Sequence, residues 1–164
     1  MEQLDTLSSQ ISFATDGSQF LTFRLRDEEY GVEILKVQEI KGYSAVTPVP
    51  NTPAYVKGVM NLRGTIVPVV DLRAKFAMEA AEYTAFTVII VLTVGTKVMG
   101  LIVDAVSDVL NIPKTDIQAT PDFGAQVDAR FISGMAKAGE KLVVLLDIDT
   151  VLGGAELTAL GSTN

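Results

Sequence analysis

The side chains best equipped for reaction chemistry in this sequence are a few carboxylates and one turn-borne arginine. Asp71 and Asp147 each end an apolar run and open a short segment, L-R-A-K-F (72–76) and I-D-T-V-L (148–152). Two carboxylates brought together in a polar cleft divide acid and base roles between them. The same placement suits a helix N-cap, where the carboxylate accepts from the orphan N–H groups of the first turn. Spacing alone does not bring the two aspartates together, and capping is the expectation. Asp104 interrupts G-L-I-V-D-A-V (100–106) and is expected on an outward face or bonded to a backbone N–H. In N-L-R-G (61–64), Asn and Gly are turn residues that tolerate positive φ, setting Arg63 at the lip of the next strand, beside Leu62. A guanidinium there is a planar fork of donors that suits a protein interface. It suits an internal ion pair equally, and Glu39, at the end of V-Q-E-I (37–40), is the candidate partner.

Composition removes other chemistries. The 164 residues include no Cys and no His, so disulfides, thiolate nucleophiles, Cys/His zinc sites and imidazole bases are all absent. G-V-M-N-L-R-G (58–64) has the wrong glycine spacing for a phosphate loop and lacks its Lys-Ser/Thr pair. No cofactor and no metal are expected. A net charge of −7 disfavours nucleic acid. The longest apolar run, V-I-I-V-L-T-V (88–94), falls well short of the roughly 20 residues a spanning helix needs. M-E-Q-L-D-T lacks the basic and apolar regions of a signal peptide, so a cytoplasmic protein without membrane insertion is expected.

The elements that must position these residues read as strands. F-L-T-F-R-L (20–25), Y-G-V-E-I-L-K-V-Q-E-I (30–40), T-I-V-P-V-V (65–70), F-T-V-I-I-V-L-T-V (86–94), M-G-L-I-V-D-A-V-S-D-V-L (99–110) and K-L-V-V-L-L (141–146) are Val/Ile-rich and separated by Gly, Pro or charged turns. Pro68 suggests an edge or bulge position for its strand. Such spacing without a long helical pattern predicts an all-β barrel or sandwich. Residues 1–17 read as a flexible tail, and 153–164 as a short helix and tail.

The chain also repeats itself. An offset of 69 lays 20–31 on 89–100, matching Gly31 with Gly100, Val37 with Val106, Glu39 with Asp108 and Ile40 with Val109. An offset of 76 lays 56–72 on 132–148, matching Gly58 with Gly134 and Asp71 with Asp147. Two small barrels of roughly 70 residues each follow, divided near 18–84 and 85–152, with exchange of strands between them allowed. Arg63 falls on Gly139 and has no echo. Val37 and Ile40 are three apart and do not share a face of a regular strand, so a bulge or strand end is expected to turn one outward. Rimmed by Glu39 and Lys41, it would form a small docking patch; a strand simply running out into G-Y-S (42–44) is the alternative.

Y-G-V-E-I-L-K-V-Q-E-I (30–40), T-P-A-Y-V-K-G-V-M-N-L-R-G-T-I-V-P-V-V-D-L-R (52–73), G-L-I-V-D-A-V-S-D-V-L (100–110) and L-D-I-D (146–149) together resemble the CheW family of bacterial chemotaxis coupling proteins. The resemblance covers about 18–152, and N-L-R-G-x-I-V-P-V-x-D-L-R is its most specific string. It implies two packed five-stranded SH3-like barrels with short helices. It implies a non-catalytic adaptor joining the cytoplasmic tips of methyl-accepting chemoreceptors to the regulatory domain of the histidine kinase CheA. It further implies recruitment to receptor clusters at the inner membrane and allows weak self-association in those arrays. The family's receptor-facing and coupling positions fall on Val37, Glu39, Ile40, Gly58, Arg63, Gly64 and Val109. Of these, Val37, Ile40, Arg63 and Val109 are expected to line a groove between the barrels for the receptor tip.

Overall fold

The computed structural model describes residues 19–119 and 129–153; the expected tail at 1–17 and the expected helix at 156–160 lie outside them. The chain opens with a hairpin of β1 (Gln19–Leu25) and β2 (Glu28–Glu33), and a 3-10 turn (Ile34–Lys36) leads to β3 (Val37–Gly42). A second hairpin, β4 (Val56–Leu62) and β5 (Thr65–Asp71), ends in the short helix α1 (Leu72–Lys75). Next come β6 (Val88–Val94), β7 (Lys97–Val103), β8 (Ala105–Asn111), β9 (Ile132–Ala138), β10 (Lys141–Leu146) and α2 (Ile148–Val151). The strands form two five-stranded sheets, β8-β1-β2-β10-β9 and β3-β6-β7-β5-β4, each the wall of a small SH3-like barrel.

The repeat is legible strand by strand. Offset by 69, β1 falls on β6, β2 on β7 and β3 on β8; offset by 76, β4 falls on β9, β5 on β10 and α1 on α2. Each sheet therefore joins the first two strands of one copy to the last three of the other. Strands cross residue 84 in both directions, and neither barrel is a contiguous half of the chain. Parallel ladders make the exchange: β2 pairs with β10 and β7 with β5. A glycine marks each junction. A Cβ at Gly31 would sit 3.0 Å from a Leu145 methyl, and one at Gly100 would sit 2.9 Å from an Ile89 methyl and 3.4 Å from a Val69 methyl, so a larger residue would have to displace neighbouring side chains.

Burial explains why the strands are apolar almost throughout. In β6, Ile89 and Val91 point into their own barrel with Met60, Leu62, Val67 and Val69. Val88, Ile90, Leu92 and Val94 point the other way, into a large cluster shared with Leu21, Phe23 and Leu25 of β1. The matching interior of the other barrel holds Phe20, Ala136, Val143 and Leu145. A strand buried on both faces shows no polar alternation. The largest cluster lies between the barrels, so the two fold as one body.

Three expectations change. The runs 30–40 and 99–110 are not single strands: they break at Ile34–Lys36 and at Asp104, where the chain passes from one sheet to the other. Pro68 lies in β5, an interior strand, and the register shift in the β4–β5 pair is in β4, between Val56 and Gly58. Its missing N–H is harmless, because opposite Val59 spends both backbone groups on Thr47 and the β7 ladder starts only at Val69. Val37 and Ile40 share a face: a bulge between Val37 and Glu39 places them opposite Leu92 and Ile90, two residues apart on β6. Both turn toward the shared core.

Candidate docking site

The β4–β5 hairpin closes through a two-residue turn, with Leu62 opposite Thr65. Both turn residues have positive φ, 50° at Arg63 and 89° at Gly64. Asn61 contributes differently from the expectation: it stays in the strand, and its Oδ1 accepts from the Gly64 N–H at 2.7 Å. A left-handed arginine is costly, and the counterpart turn uses Gly139 there, at φ 64°.

Arg63 Nη2 donates to Glu39 Oε1 at 2.6 Å, the pair anticipated from the sequence. The arginine side chain is 70% exposed and the glutamate 29%. Glu39 raises the pKa of Arg63, first through the hydrogen bond and then through its charge, so the guanidinium stays a fixed cation. The pair ties the β4–β5 turn to β3, the opposite edge of the same sheet.

Val37, Ile40 and Val109 are half-buried, and all three pack against the core shared by the barrels. Val37 and Ile40 lie on edge strand β3, Val109 on edge strand β8, and Ile40 and Val109 are equivalents at offset 69. Gly58 is buried. A Cβ there would lie 2.1 Å from the Thr47 carbonyl oxygen, and its φ of 150° also favours glycine. Thus Arg63, Gly64 and Glu39 make a polar lip, the three aliphatic residues lie along the margin of the shared core, and Gly58 supports the fold from inside.

The carboxylates are committed elsewhere. Asp71 caps α1, accepting from the N–H groups of Arg73 at 3.0 Å and Ala74 at 3.4 Å, and its other oxygen takes the Tyr83 hydroxyl at 2.7 Å. Burial and that hydrogen bond raise the Tyr83 pKa. Asp147 caps α2 through the Thr150 N–H at 3.3 Å and hydroxyl at 2.9 Å. The capping expectation holds at both. Asp104 accepts from the Arg26 N–H at 2.9 Å, as expected, and also binds Arg73 through both carboxylate oxygens, with Nε–Oδ1 at 2.8 Å. Burial pushes its carboxyl up, but the hydrogen bonds from Arg73 and Arg26 outweigh this and hold it below its usual value. A cavity of about 390 Å³ opens beside these groups, lined by Arg24, Tyr83 and Phe86 among others.

Sequence reading missed the Arg73–Asp104 pair and the exposed Leu35. The first was signalled only by a charge inside an apolar run. The second was masked because Leu35 read as one more residue of a strand. Among the described residues no group of His, Cys, Asp or Glu is arranged to hold a metal ion, and no helix is long and apolar enough to cross a membrane.

Residues 19–156 match the CheW-like domain family. The chain is 46% identical over 149 residues to the chemotaxis protein CheW of Klebsiella aerogenes, covering 91% of this chain and 90% of that one. It is 43% identical over 143 residues to the chemotaxis protein CheW of Rhizobium meliloti, covering 87% and 92%. The crystal structure of the scaffolding protein TtCheW from Thermoanaerobacter tengcongensis superposes with a TM-score of 0.79 at 29% identity, covering 88% of this chain and 93% of that one.

Proposed function

Because the chain belongs to the CheW family of chemotaxis proteins, we propose that it couples transmembrane chemoreceptors to the histidine kinase CheA, as a cytoplasmic adaptor without catalysis, at receptor clusters. The observation that carries this reading is Arg63 itself, held at positive φ beside the bulged β3 edge and still 70% exposed although Glu39 engages it. The turn itself does not require a strained, exposed arginine, since glycine serves the counterpart turn. An amphipathic receptor helix lays its apolar face along the parts of Val37, Ile40 and Val109 that the shared core leaves exposed. Arg63 and Glu39 fix its register and reject wrong partners more than they add affinity. A second surface holds the kinase regulatory domain. The receptor state then changes how the rigid pair of barrels presents the kinase, shifting its active population.

The test is co-sedimentation of receptor cytoplasmic fragment, kinase and adaptor, with kinase activity as readout. Arg63→Glu is expected to weaken assembly while leaving the protein folded. Ternary assembly and kinase control equal to wild type would remove Arg63 from the site.

A further inference from the structure

An unpaired strand edge offers its N–H and C=O groups to any other chain, so each sheet end must refuse an extra strand. The four ends are β8 and β9 of one sheet and β3 and β4 of the other. Two are covered by the chain itself. Thr47, past β3, exchanges backbone hydrogen bonds of 2.9 Å with Val59 on β4, and Gln118, past β8, exchanges bonds of 2.8 Å with Met135 on β9. The other two, β3 and β8, pair on one side only among the described residues, with β6 and β1. Both are bulged at the same place: Gln38 and Ser107 are the extra residues, and they are equivalents at offset 69. A bulge bends an edge and disrupts its ladder. Each bulge is followed by an acid, Glu39 or Asp108.

The two acids act differently. Glu39 reaches across to Arg63. At offset 76 Arg63 falls on Gly139, which has no side chain to offer Asp108. The Asp108 carboxylate turns back on its own strand, and Oδ1 accepts from the Val109 N–H at 2.7 Å. The Asp108 N–H donates to Thr22 Oγ1, and the Thr22 hydroxyl donates to the Asp108 carbonyl, both at 3.1 Å, so the backbone of Asp108 faces β1. Successive residues of a strand present their backbone groups to opposite sides, so those of Val109 face away from the sheet. The carboxylate thus occupies the donor that an added strand would take. Asp108 is itself exposed, and its charge lies along the same edge. We infer that Asp108 guards the outer edge of β8, holding the Val109 N–H closed against β-pairing with a second copy of this chain. A symmetric β8–β8 contact is the pairing it blocks most strongly, because two Asp108 carboxylates would meet on one ladder, like charge against like.

The experiment compares the full chain with Asp108→Ala and Asp108→Asn by sedimentation velocity across a concentration series. Hydrogen exchange of the Val109 amide is followed by NMR in the same samples. Dilute Asp108→Ala is expected to exchange that amide about tenfold faster than wild type, as for one net hydrogen bond lost. It should self-associate about tenfold more tightly, with the amide protected again in the associated state. Asp108→Asn keeps a side-chain carbonyl as acceptor, so its dilute exchange should follow wild type and its self-association should stay weaker than that of Asp108→Ala. A folded Asp108→Ala that remains monomeric overturns the guard. Association that leaves the Val109 amide unprotected puts the contact elsewhere and does the same. Equal association of the Asn and Ala variants would give the effect to charge alone and overturn the hydrogen-bonded seal. Should Asp108→Ala not fold, the wild-type amide decides: exchange as fast as in an unstructured peptide rules the seal out, and slower exchange supports it.

Discussion

The chain crosses between its sheets twice, and the two crossings solve one geometric problem with different chemistry. After β7, Asp104 at the crossing is gripped by Arg73, the second residue of α1. After β2, Lys36 at the crossing meets Asp149, the second residue of α2. Arg73 and Asp149 are equivalents at offset 76, but Asp104 is the equivalent of Leu35 and Lys36 that of Ala105, so an ion pair of reversed polarity recurs with one partner moved along by a residue. Arg73 and Asp104 are 16% and 25% exposed, and their contact is bidentate; Lys36 and Asp149 are 32% and 49% exposed, and theirs is a single contact. The two copies thus keep an ion pair at each crossing without keeping both of its positions. One crossing spends its polar side chain on the fold. The other makes do with a solvated pair and turns a leucine outward.

The widest gap between the halves is expected at the paired glycines. In Gly58→Ala the new Cβ meets the Thr47 carbonyl at 2.1 Å in a backbone bridge. Its cost in urea denaturation is expected at about 3 kcal/mol. Gly134→Ala meets Ile117 Cγ2 at 2.5 Å and the Gln118 carbonyl at 3.1 Å, so a side chain can yield, and about 1 kcal/mol is expected. Equal losses would mean that the two bridges are mechanically alike.

Asp104→Asn is expected to cost about 2 kcal/mol at neutral pH, because it leaves Arg73 half-buried with a weakened partner. The folded state depresses the Asp104 pKa, so its contribution is present above the unfolded value near ~3.9. It is lost as pH falls through the lower folded value. The wild-type advantage over Asp104→Asn should therefore shrink below about pH 4; an advantage that persists in acid would contradict a carboxylate role. Asp149→Asn, at the exposed crossing, is expected to cost about 0.5 kcal/mol or less.

The smallest stability change is expected at the hairpins. Arg63→Gly copies the Gly139 turn and relieves a positive φ, so the melting temperature should hold or rise slightly. Receptor co-sedimentation should fall all the same. A destabilised but fully binding variant would make Arg63 a structural residue.

Much of this was legible before the structure. Asp71 and Asp147 read as caps because each closes an apolar run and precedes a short segment, a local pattern with a local cause. The Arg63–Glu39 pair was anticipated from an exposed turn and a strand end. The breaks at Ile34–Lys36 and Asp104 were not, because both faces of the flanking strands are buried and the apolar pattern runs through the crossing unmarked. Pro68 misled for a related reason: which strand lies at an edge depends on partners far away in sequence.

Composition by itself settled that no imidazole or thiol chemistry is available, and sequence pattern gave the caps, the doubling of the unit and most of the strand-forming runs, though not β4, β9 or the two breaks. Caps and strands depend on residues close together in the chain, and the doubling shows by comparing the sequence with itself. Only the tertiary structure decided which copy lends strands to which sheet, that Val37 and Ile40 face inward across a bulge, and that Leu35 is left in solvent. Those outcomes turn on parallel pairing and burial between segments far apart in sequence, and hydrophobicity, being non-directional, does not name its partner.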